Sequence, residues 1–482
     1  MGVLLSFPND AIAARYQEGR VAHWDFVAEK MGKRRGWEAY YHRRLAKVYQ
    51  SLIPAGSRVL EIGCGDGKLL AGLKPAVGVG IDFSQCMIER ARELHPNLQF
   101  IHADAHDLDL DETFDFVILS DVANDLWDVQ RVLTQVSQLA EAGTRIVLNT
   151  FSHLWATPLG MVARLGLTRP RLRQNWLTKE DLENLLRLSG FEMIRTWQEV
   201  LCPLGIPLVA PLCNKFLVKM FPFKSIALTN FQIARPSARP RAGRPTVSIV
   251  VPARNEADNI EKILERIPEL GGGTDLIFVE GNSTDDTYGA IERALEVHPE
   301  RVAMLLKQDG KGKGDAVRKG FGHATGDILM ILDADLSVAP EDLQRFYEAI
   351  CSGRGEFING VRLVYPMEDR AMRFANLLGN KFFSWAFSWL LGTSVKDTLC
   401  GTKVLWRKDY EAIAANRSYF GDFDPFGDFD LLFGAAKLNL KIVDMPIRYR
   451  ERVYGTTNIQ RWRHGLMLLN MVAFAARRLK FI

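Results

Sequence analysis

Apolar runs of strand length recur along the whole chain, four in each half, and six of the eight close on a glycine, a proline or a charge. In the first half they are "SRVLEIG", "AVGVGID", "FDFVILS" and "TRIVLNT"; in the second, "TVSIVVP", "TDLIFVE", "RVAMLLK" and "DILMILD". Runs with so little polar alternation need cover on both faces, and amphipathic stretches such as "SQCMIERAREL" lie between them to supply it. Strand and helix in alternation imply α/β architecture around mostly parallel sheets. A chain of 482 residues exceeds one core, so two domains are expected. The division falls at "RPSARPRAGRP", Arg235–Pro245, where four arginines and three prolines leave nothing large and apolar to pack. The expected domains are residues 1–234 and 246–482, joined by 235–245. No internal repeat is visible.

Composition narrows the function classes. The hydrophobic share of 47% and the charged share of 24% are those of a globular protein, and a net charge of +4 names no nucleic-acid partner. The six cysteines (Cys64, Cys86, Cys202, Cys213, Cys351 and Cys400) are scattered with no CxxC pair, as in reduced, cytoplasmic chains. No basic leader with a long apolar core opens the chain, so no signal peptide is expected. The longest uncharged stretch near the end, Gly465–Ala476, is too short to span a bilayer.

"LEIGCGDGKLL", Leu60–Leu70, reads as strand, glycine-rich turn and helix start. Gly63, Gly65 and Gly67 permit a tight turn and close approach of a ligand. Asp82 ends the second strand, where an acid can accept hydrogen bonds from ribose hydroxyls, and Asp104 follows the third. From about Tyr40 to Asn149 this half resembles class I S-adenosylmethionine-dependent methyltransferases, which have a Rossmann-like fold. The resemblance implies that Glu61, Gly63, Gly65 and Gly67 cradle the methionine and ribose parts of S-adenosylmethionine. It also implies that Asp82 holds the ribose and that Asp104 faces the adenine. Dinucleotide binding is the rival reading, but "GCGDG" lacks the further glycine spacing of that fingerprint. Asp121, Asp125 and His153 are candidate bases for methyl transfer, and each is also an ordinary surface or turn residue.

In the second half "ILDADLS" places Asp333 and Asp335 one residue apart at the end of an apolar run. On a strand both carboxylates point the same way, and a hard divalent cation, Mg²⁺ or Mn²⁺, is the expected neutraliser. "VSIVVPARNEADNI", "FVEGNSTDDT" and "KQDGKGKGDAVRKGF" precede it in that order. From about Thr246 to Asn458 this half resembles family 2 glycosyltransferases, above all the synthases of polyprenyl- and dolichyl-phosphate mannose or glucose. The resemblance implies a GT-A fold, a nucleotide-sugar donor and a metal at Asp333 and Asp335, whose diphosphate leaving group the metal would neutralise. Pro252, Arg254, Glu256, Glu280, Lys311, Lys313 and Arg318 are then expected against the donor, and Lys319 in a solvated face. Two departures stand out: Ser337 replaces a metal-binding glutamine, and Glu280-Gly281 replaces an acidic pair. Arg362, Arg370, Arg373, Lys403 and Arg452 are acceptor candidates. Asp397 and Asp428 are catalytic candidates, with Asp430 beside the latter; a hydroxyl acceptor would need a base, an ionised phosphate would not.

The expected protein is thus a methyltransferase fused to an inverting, metal-dependent glycosyltransferase. Its acceptor is a polyprenyl phosphate or, alternatively, a glycan hydroxyl. A further alternative makes the first half a non-catalytic binding module. Peripheral contact with the cytoplasmic membrane face is expected through "RWRHGLMLLNMVAFAARRLKFI" and "FANLLGNKFFSWAFSWLLG", which brings Trp385 and Trp389 to an interface. Both are equally readable as core helices.

Overall fold

The computed structural model describes residues 10–30, 37–164, 172, 174–240, 243–365, 374–417, 427–450 and 461–481. They form two compact units, residues 1–237 with 481–482, and residues 238–480.

The first unit holds a seven-stranded sheet: β1 (Arg58–Ile62), β2 (Val77–Asp82), β3 (Gln99–His102), β4 (Phe116–Ser120), β5 (Arg145–Phe151), β6 (Phe191–Glu199) and β7 (Thr229–Pro236). Their order is β3-β2-β1-β4-β5-β7-β6, with β7 antiparallel to both of its neighbours and the remaining pairs parallel. Successive residues alternate between two cores. Val59, Ile118 and Val147 pack with the helix Trp37–Leu52 through Leu45, Val48 and Tyr49. Leu60, Val117 and Ile146 pack with the helix Val129–Gln138 through Val132, Leu133 and Val136. The order reverses between β1 and β4, which opens a crevice at their carboxyl ends. Arg235 and Pro236, expected in the linker, belong to β7, where Pro236 pairs with Phe191 at the end of the ladder.

The second unit holds β8 (Val247–Ala253), β9 (Thr274–Glu280), β10 (Val302–Lys307), β11 (Ile328–Ile331), β12 (Phe357–Val361), β13 (Lys403–Trp406) and β14 (Ile442–Pro446). Their order is β10-β9-β8-β11-β13-β12-β14. β13 runs antiparallel to β11 and β12, and the other pairs are parallel. Val247, Ile249 and Val251 face a core with Leu276, Phe278, Ile328 and Met330. Here the order reverses between β8 and β11, so a crevice again opens at the carboxyl ends.

Among the described residues no helix is long and apolar enough to cross a membrane. The two segments expected at an interface form the helices Phe374–Leu391 and Arg461–Ala475. Both are partly core: Phe387 stacks with Phe433 at 5.3 Å, and Met471 is buried. Each also shows apolar side chains outward, Trp385 at 68% and Leu466 at 64% exposed.

Candidate functional site

In the second unit, the loops after β8 and β9 are laced together at the crevice. Asn255, whose φ of 57° lies in the left-handed region, accepts from Thr284 N at 2.8 Å and donates its own N–H to Ser283 Oγ at 3.0 Å. Glu256 N donates to Thr287 Oγ1, and the buried Glu256 carboxylate accepts from Asn259 Nδ2 at 2.7 Å. Glu280, buried at the end of β9, accepts from Ser283 N at 2.5 Å. Pro252 lies in β8 opposite Val279, and Arg254 is exposed just beyond. A side chain at Gly281 would meet Arg254 Cβ and Gln308 Oε1 at 3.2 Å, so the missing second acid of this motif leaves no gap.

β11 ends at Ile331, so Asp333 and Asp335 lie in the turn that follows and not on the strand. Their placement comes from that turn. Asp335 is buried and its Oδ1 accepts from both Ser337 N (3.0 Å) and Ser337 Oγ (2.5 Å). Ser337 is thereby the residue that orients Asp335. Asp333 Oδ1 pairs with Lys313 Nζ at 2.5 Å. Burial works against the charge on Lys313, but the Asp333 and Asp428 carboxylates hold its pKa above the usual lysine value. Gly401 completes this spot: a Cβ there would collide with Asp333 Oδ2 and Lys313 Nζ, so the position admits no side chain. Lys313 opens the helix Lys313–His323, Lys311 is exposed before it, and Arg318 Nη1 lies 3.6 Å from Asp430 Oδ2. Lys319 is paired with Asp309 at 2.7 Å, at the rim.

The donor set here is two carboxylates. Among the described residues no three His, Cys, Asp or Glu side chains gather as a metal site. Two carboxylates at one turn fit a hard cation that takes its other oxygens from phosphate and water, as Mg²⁺ commonly does, with the Lys313 ammonium then turned from Asp333 toward the phosphate.

Asp397 and Asp428, both buried, are tied up in ion pairs with Arg362 and Lys403. Arg362, directly after β12, clamps Asp397 with Nε at 2.7 Å and Nη2 at 2.9 Å, and its N–H adds a third bond at 3.1 Å. Burial would raise the pKa of Asp397, but Arg362 holds it below the usual carboxylate range. Lys403 is fully buried at the start of β13: its ammonium donates to the Cys400 carbonyl and lies 3.8 Å from Asp428 Oδ1. Lys403 was expected against the acceptor; its burial makes it an internal counterion for Asp428. Arg370, Arg373 and Arg452 lie outside the described residues.

In the first unit Gly63, Gly65 and Gly67 have φ of 73°, 52° and 72°, the left-handed conformation that the glycine pattern anticipates. A Cβ on Gly63 would strike Val122 and one on Gly67 would strike Phe100, whereas Gly65 faces open space. Asp82 binds the loop itself, accepting from Gly65 N and Ser84 N at 2.9 Å each. Two lone-pair directions per oxygen still allow it to take ribose hydroxyls. Glu61 accepts from Leu70 N at 3.0 Å, and burial raises its pKa well above the usual value. Burial also raises that of Asp82.

A helix that the motifs did not announce, Asp10–Lys30, reaches these loops. Gln17 donates to Asp104, Asp25 accepts from Ser84 Oγ at 2.5 Å, and Tyr16 OH donates to the Asp125 carbonyl. Asp104 also accepts from His106 N and pairs with His106 Nδ1 at 2.7 Å. Asp121, with φ of 57°, accepts from Tyr41 OH (2.9 Å) and Asn149 Nδ2 (2.5 Å). Asp125 lies 3.8 Å from Arg20, and His153 is exposed. The polar residues Tyr16, Gln17 and Asp25 gave no signal of this in the sequence, since nothing local ties them to loops about 60 to 110 residues away.

Comparison with known proteins agrees with both architectures. Residues 248–413 match the model "Glycosyl transferase family 2", and residues 34–196 match "Methyltransferase domain". A dolichol-phosphate mannosyltransferase of Pyrococcus furiosus is 33% identical over 232 residues, 44% of this chain and 59% of that protein. A polyprenol monophosphomannose synthase of Mycolicibacterium smegmatis is 26% identical over 46% of this chain and 84% of its own length. The chain spans 36% of a Haloferax volcanii glycosyltransferase and 65% of an undecaprenyl-phosphate 4-deoxy-4-formamido-L-arabinose transferase of Edwardsiella ictaluri, less than two thirds of either. Among solved structures, glucosyl-3-phosphoglycerate synthase of Mycobacterium tuberculosis is 21% identical over 49% of this chain and 81% of that one, with a TM-score of 0.36. The chain therefore carries a methyltransferase domain on a Rossmann-like fold in its first half and a glycosyl transferase family 2 domain on a GT-A fold in its second.

Proposed function

We propose that the second half transfers a sugar, with inversion, from a nucleotide-sugar to a polyprenyl phosphate, and that the first half transfers a methyl group from S-adenosylmethionine. The observation that carries the choice of acceptor is the state of the candidate bases. Asp397 is clamped by Arg362 and Asp428 faces Lys403, both in buried pairs. A hydroxyl acceptor needs a base to remove its proton, whereas a phosphate monoester is largely ionised near neutral pH. Asp430 is likewise flanked by Arg318 and Arg417, at 3.6 Å and 3.7 Å. The relatives that act on dolichol phosphate or polyprenol phosphate, by their names, agree with this choice.

Asp333 and Asp335 would hold Mg²⁺ or Mn²⁺, which when bound offsets the charge of a departing diphosphate. Lys313 and the N-terminus of its helix present positive charge and N–H groups beside Asp333, which suits phosphate oxygens. Glu256 and Glu280 wall the crevice on the β8–β9 side, where a nucleoside would lie. Arg362, fixed by two bonds to one carboxylate, keeps its cation in place without a rotamer search. In the first half, Gly65 faces open space and Asp82 retains acceptor capacity for ribose; S-adenosylmethionine would supply an electrophilic methyl there. The outward Trp385 and Leu466 support peripheral membrane contact, where a lipid phosphate resides.

The test is a donor screen read by product mass spectrometry, with and without S-adenosylmethionine, with polyprenyl phosphate and a soluble glycan in competition. Sugar on the lipid phosphate is the expected product. Transfer to the glycan alone would move the reading to a hydroxyl acceptor and would require a different base.

A further inference from the structure

Between β6 and β7 the first unit carries an insert, residues 200–228, that packs inside out. Two of its polar side chains, Asn214 and Lys219, point inward. Asn214, buried, donates to the Cys202 carbonyl at 2.6 Å and accepts from Leu201 N and Cys202 N at 2.7 Å and 2.8 Å. Lys219, also buried, pairs with Glu199, which Arg44 binds at 3.0 Å. Burial lowers the pKa of Lys219, although Glu199 opposes this.

The outward face is apolar. Ten large apolar side chains between Leu204 and Ile226 are exposed, led by Leu208 at 86% and Phe221 at 79%. Soluble surfaces scatter such residues singly, and a concentration of this kind marks an interaction surface. Charge decides between partners. No Asp or Glu occurs from Val200 to Asn255, and Lys215 and Lys224 are exposed within the apolar face. An apolar face studded with lysines and free of acids complements an anionic lipid interface, where the side chains enter the acyl boundary and the ammonium groups meet the headgroups.

We propose that this insert docks the methyltransferase half onto an anionic membrane surface. The inference stands apart from the acceptor's identity, and it concerns a face on which the chain end also rests, Phe481 lying 5.0 Å from Phe216 between ring centroids. It brings the methyltransferase half to a membrane, so a lipid-borne or membrane-proximal substrate is open to it.

The experiment is co-sedimentation of the full chain with phosphatidylglycerol-containing vesicles and with phosphatidylcholine vesicles. The expected result is binding to the first that weakens with salt. Leu208→Glu with Phe221→Glu should reduce the bound fraction at least tenfold while residues 465–482 remain intact. Lys215→Gln with Lys224→Gln, which leaves the apolar face unchanged, should weaken binding roughly tenfold to thirtyfold, from about 1 kcal/mol per cation near such a surface. Circular dichroism and thermal melts check that each variant is folded. A folded Leu208→Glu, Phe221→Glu variant that pellets like the parent overturns the proposal. So does a parent chain that forms dimers which the same variant dissolves, with vesicle binding unchanged, because the face would then join two copies.

Discussion

Glu61 and Asp82 in the first half, and Asp333 and Asp397 in the second, all stand near the crevice of a sheet whose strand order reverses. They are held in different ways. Glu61 and Asp82 receive only backbone N–H groups, from Leu70, Gly65 and Ser84, and burial raises the pKa of each. Asp333 and Asp397 each face a cation, Lys313 and Arg362. The difference matches the ligands proposed for each half. S-adenosylmethionine presents ribose hydroxyls and a net positive charge, a sulfonium and an ammonium against one carboxylate, which suits carboxylates without counterions. A diphosphate, a lipid phosphate and a divalent cation bring charges of both signs, which suit a site holding both.

The strongest way to break that comparison is Arg362→Ala. It leaves Asp397 buried without its clamp, and removal of one partner of a buried pair costs about 3–5 kcal/mol. The second half should lose that much stability in denaturant titration, with S-adenosylmethionine binding by the first half retained. A loss below about 1 kcal/mol would mean that the pair is not what fixes this region.

Asp335→Asn comes next. Asn keeps an oxygen to accept from Ser337 N and Oγ, so the turn should persist. It removes one negative charge from a two-carboxylate cation site, and sugar transfer should fall at least a hundredfold, about 3 kcal/mol of the several that such a cation supplies. Near-parental turnover at saturating Mg²⁺ or Mn²⁺ would remove the metal assignment.

Gly65→Val probes the other half with a smaller effect. Its φ of 52° disfavours a β-branched residue by roughly 1–2 kcal/mol, and the new side chain enters the open space before the loop. S-adenosylmethionine binding measured by calorimetry should weaken tenfold or more, with sugar transfer unchanged. Loss of both activities in a folded variant would contradict independent sites.

The glycines of the first loop were legible because a left-handed backbone writes itself into residue identity. Asp333 and Asp335 were legible as a motif, but strand alternation was the wrong reason, since β11 stops two residues early and Ser337 does the orienting. The Arg362–Asp397 clamp was not legible: 35 residues separate its partners, and burial, which gives the pair its weight, is a property of the packed fold. Lys403 shows the same limit, for a lysine in a motif says nothing of whether it faces ligand or core. The insert 200–228 is the sharpest case. Nothing in the sequence marks Leu208 and Phe221 as exposed, and only the folded chain shows them outward with Asn214 and Lys219 buried.

The smallest expected effect separates the halves by acid. Glu61 and Asp82 have folded pKa values above their unfolded values of ~4, so the folded first half binds protons that the unfolded chain does not. Its stability from these groups therefore rises as pH falls from neutral toward ~4. Asp397 has a folded pKa below its unfolded value, so its contribution is complete above ~4 and is lost as pH falls through the folded value. In the first half Asp104 and Glu199 are also lowered, and their loss is confined to that same acidic range. Hydrogen exchange read by peptide should then show protection of β1 and β2 increasing modestly between pH 7 and pH ~5, and by more than that of β12, where Asp444, bonded to Asn359 and also raised by burial, acts in the same direction against Asp397. Equal slopes in the two halves would mean that Glu61 and Asp82 are neutralised by something other than backbone N–H groups, and the contrast between the two sites would fail.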